Sequence, residues 1–351
     1  MTKRRFSPMP RLLTAAAVAA LMLPAVGPAA ASDVEELRET ARALFGTVRA
    51  TEPEEIEDPQ AQLGQALFWD MRLSISGDVA CASCHFAENW GSDSRVASIN
   101  ARGGRTLQSQ TVFHSMETPG LRWLADRESG QAQAMGSITG SMGFATREDI
   151  LPVLDEHGYA EWFASAFPDD EEPMSVENYG KAIEVYEFTL RTPAPYDAWL
   201  AGDDDAMTPQ QLAGLQSYID VGCAGCHAGP LFGGEMLQPF GVTENYWDHT
   251  GSVDINSGLM RATGDEADRF FFRVPLLRNI AKTYPYFHDG SVAELRRAND
   301  IMARIQLGQR LDDETLDDIT AFLDALTGEI PVNFEPPEGI PFELPEGVVP
   351  G

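Results

Sequence analysis

The sequence predicts a mainly α-helical protein of two covalently loaded units with long loops. Three observations predict it. Apolar residues recur at helical spacing in several separate stretches. No stretch reads as strand-rich. The pattern C-x-x-C-H occurs twice, at Cys81–His85 and Cys223–His227, and consumes all 4 cysteines of the 351-residue chain.

C-x-x-C-H is the attachment signature of c-type haem. The two thiols add to the haem vinyl groups, and the adjacent imidazole is placed to bind the iron. A structural disulfide framework would leave cysteines outside such motifs. A thioredoxin-like pair needs no neighbouring His. Zinc takes four N/S ligands, and each motif offers at most three. The expectation is two covalent haems held by Cys81, Cys84, His85 and by Cys223, Cys226, His227.

The elements follow in order. Lys3, Arg4, Arg5 and Arg11 precede an apolar run from Leu12 to Val26, and Ala29–Ala31 are small. This reads as a secretory signal peptide over residues 1–31, cleaved after Ala31. Pro24 and Pro28 interrupt the run, against an uncleaved anchor. Covalent haem attachment is completed outside the bacterial cytoplasm, so both features point to the periplasm. Asp33 to Arg49 has helical spacing, and the acidic 51–59 stretch reads as a linker. Ala61 to Trp69 is a short helix leading to the first motif. Residues 111–142 are loop-rich around Trp123, Asp126 and Arg127. Glu148 to Phe167 reads as helix, stopped by an acidic Pro-bracketed run. Val176 to Thr192 carries Tyr179, Ile183, Tyr186 and Leu190 on one face. Thr208-Pro209 opens the helix that leads into the second motif. Glu314 to Leu326 is the last helix, as at the end of a class I cytochrome c. The expected division is an N-terminal haem unit over 32–200, a C-terminal one over 201–330, and a Pro-rich tail over 331–351, lying extended on the surface or across the other unit.

Roughly 320 mature residues exceed one ordinary domain. The formal net charge is −29, and removal of the N-terminal cations makes it more negative. Such a surface repels nucleic acid. It can steer a basic redox partner, or serve only solubility or salt adaptation.

With both motifs placed, the chain resembles the bacterial dihaem cytochrome c peroxidase and MauG family over residues 60–328. Phe271–Asn279 is similar to the family's F-x-x-P-x-L-R-N. Thr283–Gly290 is similar to T-x-P-Y-x-H-D-G, and Met302–Gly308 to M-G-x-x-Q-L-G. Leu121–Arg127 resembles the stretch that carries W-D-G-R, and Gln131–Gly136 resembles Q-A-x-G. The resemblance implies two class I cytochrome c-like haem domains with long loops. It implies a His/Met electron-transfer haem in the second and a peroxide-reactive haem in the first.

Residue by residue, Met302 becomes the sixth ligand of the second haem. Thioether sulfur raises the potential of an iron that accepts electrons. Met260 and Met236 are the alternatives. Trp123 resembles the inter-haem tryptophan. Thr283 and Pro285 match positions whose carbonyls hold calcium in the family, and Gln108 stands where the family has its Asn ligand. His288 reads as a haem-propionate contact or a structural hydrogen bond, with Tyr286 and Asp289 fixing its loop. His114, where the family often has Asn, lies close to the inter-haem region; His157 and His249 belong to no motif. Arg127 and Gln133 are the pocket candidates at the first haem, where a cation and an amide orient peroxide.

Two departures bear on activity. The family's pocket Glu precedes a Met, but here Ser141 precedes Met142. The region from Ile99 to Arg105, where many members carry a distal His, contains none. The expected function is hydrogen peroxide reduction to water. Electrons would come from a small periplasmic cytochrome c or cupredoxin and pass from the C-terminal to the N-terminal haem. The alternative is a non-peroxidase dihaem carrier or a MauG-like oxidant of a protein partner. The resemblance also implies a calcium-supported homodimer; nothing reads as an integral membrane protein.

Overall fold

A computed structural model describes residues 31–344. The expected signal peptide lies outside the described residues except for Ala31, as does the end of the tail. The architecture is mainly helical, with a single two-stranded ribbon among the described residues.

Helix α1, Ala31–Leu44, is shorter than its apolar spacing suggests. Gly46 takes φ +74°, a conformation that stops a helix at no steric cost. Val48 therefore lies beyond the helix and packs with Leu231 and Leu276. The expected linker contains a helical turn, Pro53–Ile56, pinned by the ion pair between Arg49 and Glu55 at 2.6 Å. Helix α2, Pro59–Trp69, starts where the Asp58 side chain accepts from Gln60 N. Ser129 caps α3, Gly130–Thr139, and Ser175 caps α4, Val176–Phe188. The expected helix over 148–167 is interrupted. Gly158 at φ +81° separates Leu151–Glu156 from Ala160–Ala166.

In the second half, α5 spans Pro209–Val221, capped by Thr208 and ended by Gly222 at φ 100°. Strands β1, Leu237–Pro239, and β2, Phe271–Arg273, pair antiparallel with Leu237 opposite Arg273. Helix α6, Leu295–Leu307, ends at Gly308, and α7, Asp313–Asp324, is capped by Asp312.

The same packing device occurs in both halves. The helix before each C-x-x-C-H motif crosses the last long helix of its half at a glycine. A Cβ on Gly64 of α2 would stand 2.0 Å from the Ala182 carbonyl oxygen of α4. A Cβ on Gly214 of α5 would stand 1.9 Å from the Asp318 carbonyl oxygen of α7. Only a residue without a side chain lets the backbones meet so closely.

Around the first crossing, Leu63, Phe68, Trp69, Phe113, Ile138, Met142, Tyr179 and Tyr186 form one apolar cluster. Around the second, Tyr196, Trp199, Leu215, Tyr218, Phe232 and Phe322 form another. The chain ends are exchanged between them. Leu37, Ala41 and Phe45 from α1 and its end join the second cluster. Phe334 of the tail is buried in the first, and the Gln65 amide donates to Asn333 O at 2.8 Å. The segment between the halves is held by a buried two-pronged pair. Arg278 Nη1 and Nη2 reach Asp197 at 2.5 and 2.9 Å. No helix among the described residues is long and apolar enough to cross a membrane.

Candidate haem sites and the ground between them

Each C-x-x-C-H motif folds as a single 3-10 turn with its His just beyond, Cys81–Ser83 and Cys223–Gly225. All four thiols are free rather than bridged. The proximal candidates share one arrangement. His85 Nδ1 donates to Gly91 O at 2.9 Å, and His227 Nδ1 donates to Phe232 O at 3.1 Å. A second carbonyl, from Gln110 and Pro275 respectively, lies beside each ring. Committing Nδ1 in this way leaves Nε2 as the metal-binding nitrogen. Burial lowers the pKa of both imidazoles, His227 to about 4, which favours the neutral form that a ligand must take. Burial also raises the thiols, Cys84 to about 11 and Cys223 to about 12. Gly233 is required here. It has φ +131°, and a Cβ on it would stand 2.2 Å from Pro275 O and 3.1 Å from His227 Nδ1.

Beside the second motif opens a cavity, part of it open to solvent. Cys223, Cys226 and His227 line it, and so does Met302 of α6. Met236 and Met260 are not among its lining residues. Free thiols, a neutral imidazole with one uncommitted nitrogen and a thioether lining the same cavity are a donor set that fits a covalently held haem.

Trp123 reaches the same cavity from the first half of the chain. Its loop closes on itself, because Leu121 N donates to Arg127 O at 2.9 Å. Its indole N–H donates to Gln108 O at 2.8 Å, and its ring meets His288 edge-on at 6.3 Å. Gln108, Thr283 and Pro285 line the cavity too. The three expected calcium ligands therefore all line one cavity. Gln108 N donates to His288 O at 3.1 Å, and its side-chain amide donates to Ser92 Oγ at 3.1 Å. A further polar side chain touches the residue before Pro285 and was not legible in the sequence. Asn89 donates to Tyr284 O at 3.3 Å, and its Oδ1 is buried without a partner. No motif singles it out; it merely follows His85 by a few residues. Among the described residues no cluster of three His, Cys, Asp or Glu side chains is poised for a metal. A calcium ion here would rest on carbonyls and amides, which suit a hard cation.

In the first half of the chain, the Arg127 guanidinium lies over α3. A Cβ on Gly136 would stand 3.1 Å from its Nε. Gln133 sits on α3 one turn earlier, half-buried. Arg127 is paired with Asp126 at 3.6 Å and donates to its carbonyl at 3.1 Å. The segment lacking the family's Glu is covered by the loop lacking its His. Arg102 donates to Gly143 O at 2.8 Å and Phe144 O at 2.9 Å, and Ala101 N donates to Ser141 O at 2.9 Å. Besides Asp93, whose charge acts on Cys84 and His85, a carboxyl of α4 approaches this unit. Burial raises the Glu187 pKa to about 8, opposed by a hydrogen bond from Ser115, and its charge acts on Cys81. It falls outside the apolar face that the helix spacing displays, so sequence reasoning passed over it.

His114 is buried and central. Its Nδ1 donates to Glu117 at 3.0 Å, and its Nε2 accepts from Thr192 N at 3.0 Å. Asn279 donates to the Thr192 hydroxyl at 2.8 Å and accepts from Gly328 N at 3.0 Å. His249 lies near the surface, paired with Glu244 at 2.5 Å.

The family model for di-haem cytochrome c peroxidase matches residues 58–205. Cytochrome c551 peroxidase of Pseudomonas aeruginosa is 36% identical over 323 residues, covering 89% of this chain and 91% of the relative. The chain belongs to the di-haem cytochrome c peroxidase family. The cytochrome c551 peroxidase of Nitrosomonas europaea is likewise 36% identical over 288 residues, covering 81% of this chain and 84% of that one. Among solved structures, a MauG-like protein associated with microbial copper homeostasis superposes with a TM-score of 0.70 at 26% identity. It covers 83% of this chain and 97% of that one. As a member of this family, the chain is an oxidoreductase of cytochrome c peroxidase type with two haem c groups.

Proposed function

We propose that the protein is a periplasmic enzyme that reduces hydrogen peroxide to water with electrons from a small cytochrome c or cupredoxin. The carrying observation is that Trp123, Met302 and His227 line one cavity although they come from distant parts of the chain. In this reading residues 32–200 and 201–330 are two class I cytochrome c-like units, each built on its glycine crossing, with the tail docked across the first. Haem bound at the two motifs supplies the one-electron chemistry and an iron at which peroxide reacts. Cys81, Cys84 and His85 hold the reactive group; Cys223, Cys226, His227 and Met302 hold the group that receives electrons. Trp123 provides the aromatic step between them. Arg127 and Gln133 orient peroxide and balance charge as its O–O bond breaks. Thr283, Pro285 and Gln108 hold a calcium ion that stiffens the ground between the sites. Export by the signal peptide and a homodimeric assembly belong to the same reading.

A second reading is favoured by one observation. Ser141 stands where a carboxylic acid would move protons between the peroxide oxygens. A MauG-like oxidant of a protein partner, or a plain dihaem carrier, needs no such acid. Steady-state peroxide consumption with a reduced cytochrome donor separates them. Sustained turnover is expected. Negligible turnover from a high-spin His85 haem that still reacts with peroxide would establish the MauG-like class. No high-spin haem at all would establish a carrier.

A further inference from the structure

Arg273 lies at the end of β2 and is only 2% exposed. Its Nε donates to Arg122 O at 3.0 Å, and its Nη2 donates to the Gln110 side chain at 3.0 Å. Its backbone N–H donates to Trp123 O at 2.7 Å. Three bonds thus tie this residue to the segments that carry and flank Trp123. The fourth polar group, Nη1, is buried with no partner. None of its recorded partners among the described residues is a carboxylate, and burial lowers the pKa to about 10.

A buried guanidinium without a counter-charge is costly, and proteins pair such groups or leave them for a ligand. His288 presents the same feature in the same cavity. It is 2% exposed and stacks on Phe272 at 4.3 Å, and its Nε2 is buried with no partner. Both residues line the cavity beside Cys223, Cys226 and His227. Two orphaned nitrogens, one cationic, ask for an anionic oxygen ligand. Haem carries two propionate carboxylates that meet this description.

We propose that Arg273, with His288, binds a propionate of the haem held at Cys223–His227, and that this contact sets the potential of that centre while seating the Trp123 loop. Arg273 is a positioning residue; it moves no proton and touches no peroxide. Its positive charge near the iron favours the reduced state and so raises the potential. With the charge removed, the carboxylate stands unbalanced and the oxidised state gains. The inference rests on the reading that the second motif carries a His/Met haem.

The test is a potentiometric titration at pH 8 of the two-haem protein, following the low-spin absorbance. Arg273→Gln should shift the reduction equilibrium about tenfold toward oxidised, about 59 mV lower, with the His/Met spectrum retained. Arg273→Lys keeps the charge and should stay within about threefold of the unsubstituted protein. An unchanged potential in Arg273→Gln overturns the proposal. An equal fall in both variants overturns it too, because the role would then be the fork geometry alone. If Arg273→Gln does not accumulate with both haems, His288→Phe decides. It keeps the stacking, loses the second donor and should lower the potential by about threefold in the equilibrium; no shift overturns the proposal. Failure of the underlying reading shows separately, as an unsubstituted protein without a low-spin His/Met centre.

Discussion

Gly64 meets Ala182 so closely that a Cβ would stand 2.0 Å from the carbonyl oxygen. Its counterpart, Gly214 against Asp318, leaves 1.9 Å. Backbone cannot retreat as a flexible side chain can, so the whole helix must move. Gly64→Ala and Gly214→Ala should each destabilise the protein by about 1–3 kcal/mol. Denaturant unfolding of the single variants measures this. Because the crossings serve separate apolar clusters, the double variant should show additive losses. A wild-type midpoint in either single variant would contradict the packing described.

Among the described residues, Met302 is the one methionine that lines the cavity together with His227. Met302→Ala should abolish the low-spin His/Met spectrum of the second haem while leaving both haems attached. Absorption and magnetic circular dichroism read the change. An unaltered spectrum would move the sixth ligand elsewhere.

His114 is held neutral. Burial pushes its pKa below the ordinary 6.5, and the nearby Arg278 adds to that, against Glu117 and Asp197. The unfolded chain takes up the proton first as the pH falls. Stability from this residue is therefore complete above pH 6.5 and is lost below it, by up to about 1.4 kcal/mol per pH unit. Thermal unfolding between pH 8 and pH 5 should decline more steeply for the natural protein than for His114→Asn. Parallel profiles would show that His114 does not titrate on unfolding.

Much of the site could be read from the chain alone because covalent attachment demands contiguous residues. Cys81, Cys84 and His85 act together only if they are neighbours, and the same holds for Cys223, Cys226 and His227. One helix start was also legible, since Thr208 caps α5 through its own local geometry. Helix ends were less so. Gly46 cut α1 short and Gly158 split the helix expected over 148–167, because φ is set locally while apolar spacing runs on past it. Asn89, Glu187 and Arg273 escaped for another reason. Each is an ordinary polar residue in the chain, and only its tertiary surroundings make it notable: an unpartnered buried atom on Asn89 and Arg273, and desolvation near Cys81 for Glu187.

The sequence by itself determined the two attachment points, the mainly helical class and the two departures at Ser141 and the His-free 99–105 stretch. These are statements about residue types at short range. Only the tertiary structure decided that Trp123, Gln108, Arg273 and Met302 share one cavity, that α1 docks on the second cluster and that Phe334 docks on the first. Those contacts join residues far apart in the chain. They depend on how closely helices cross at Gly64 and Gly214, and apolar periodicity carries no information about that distance.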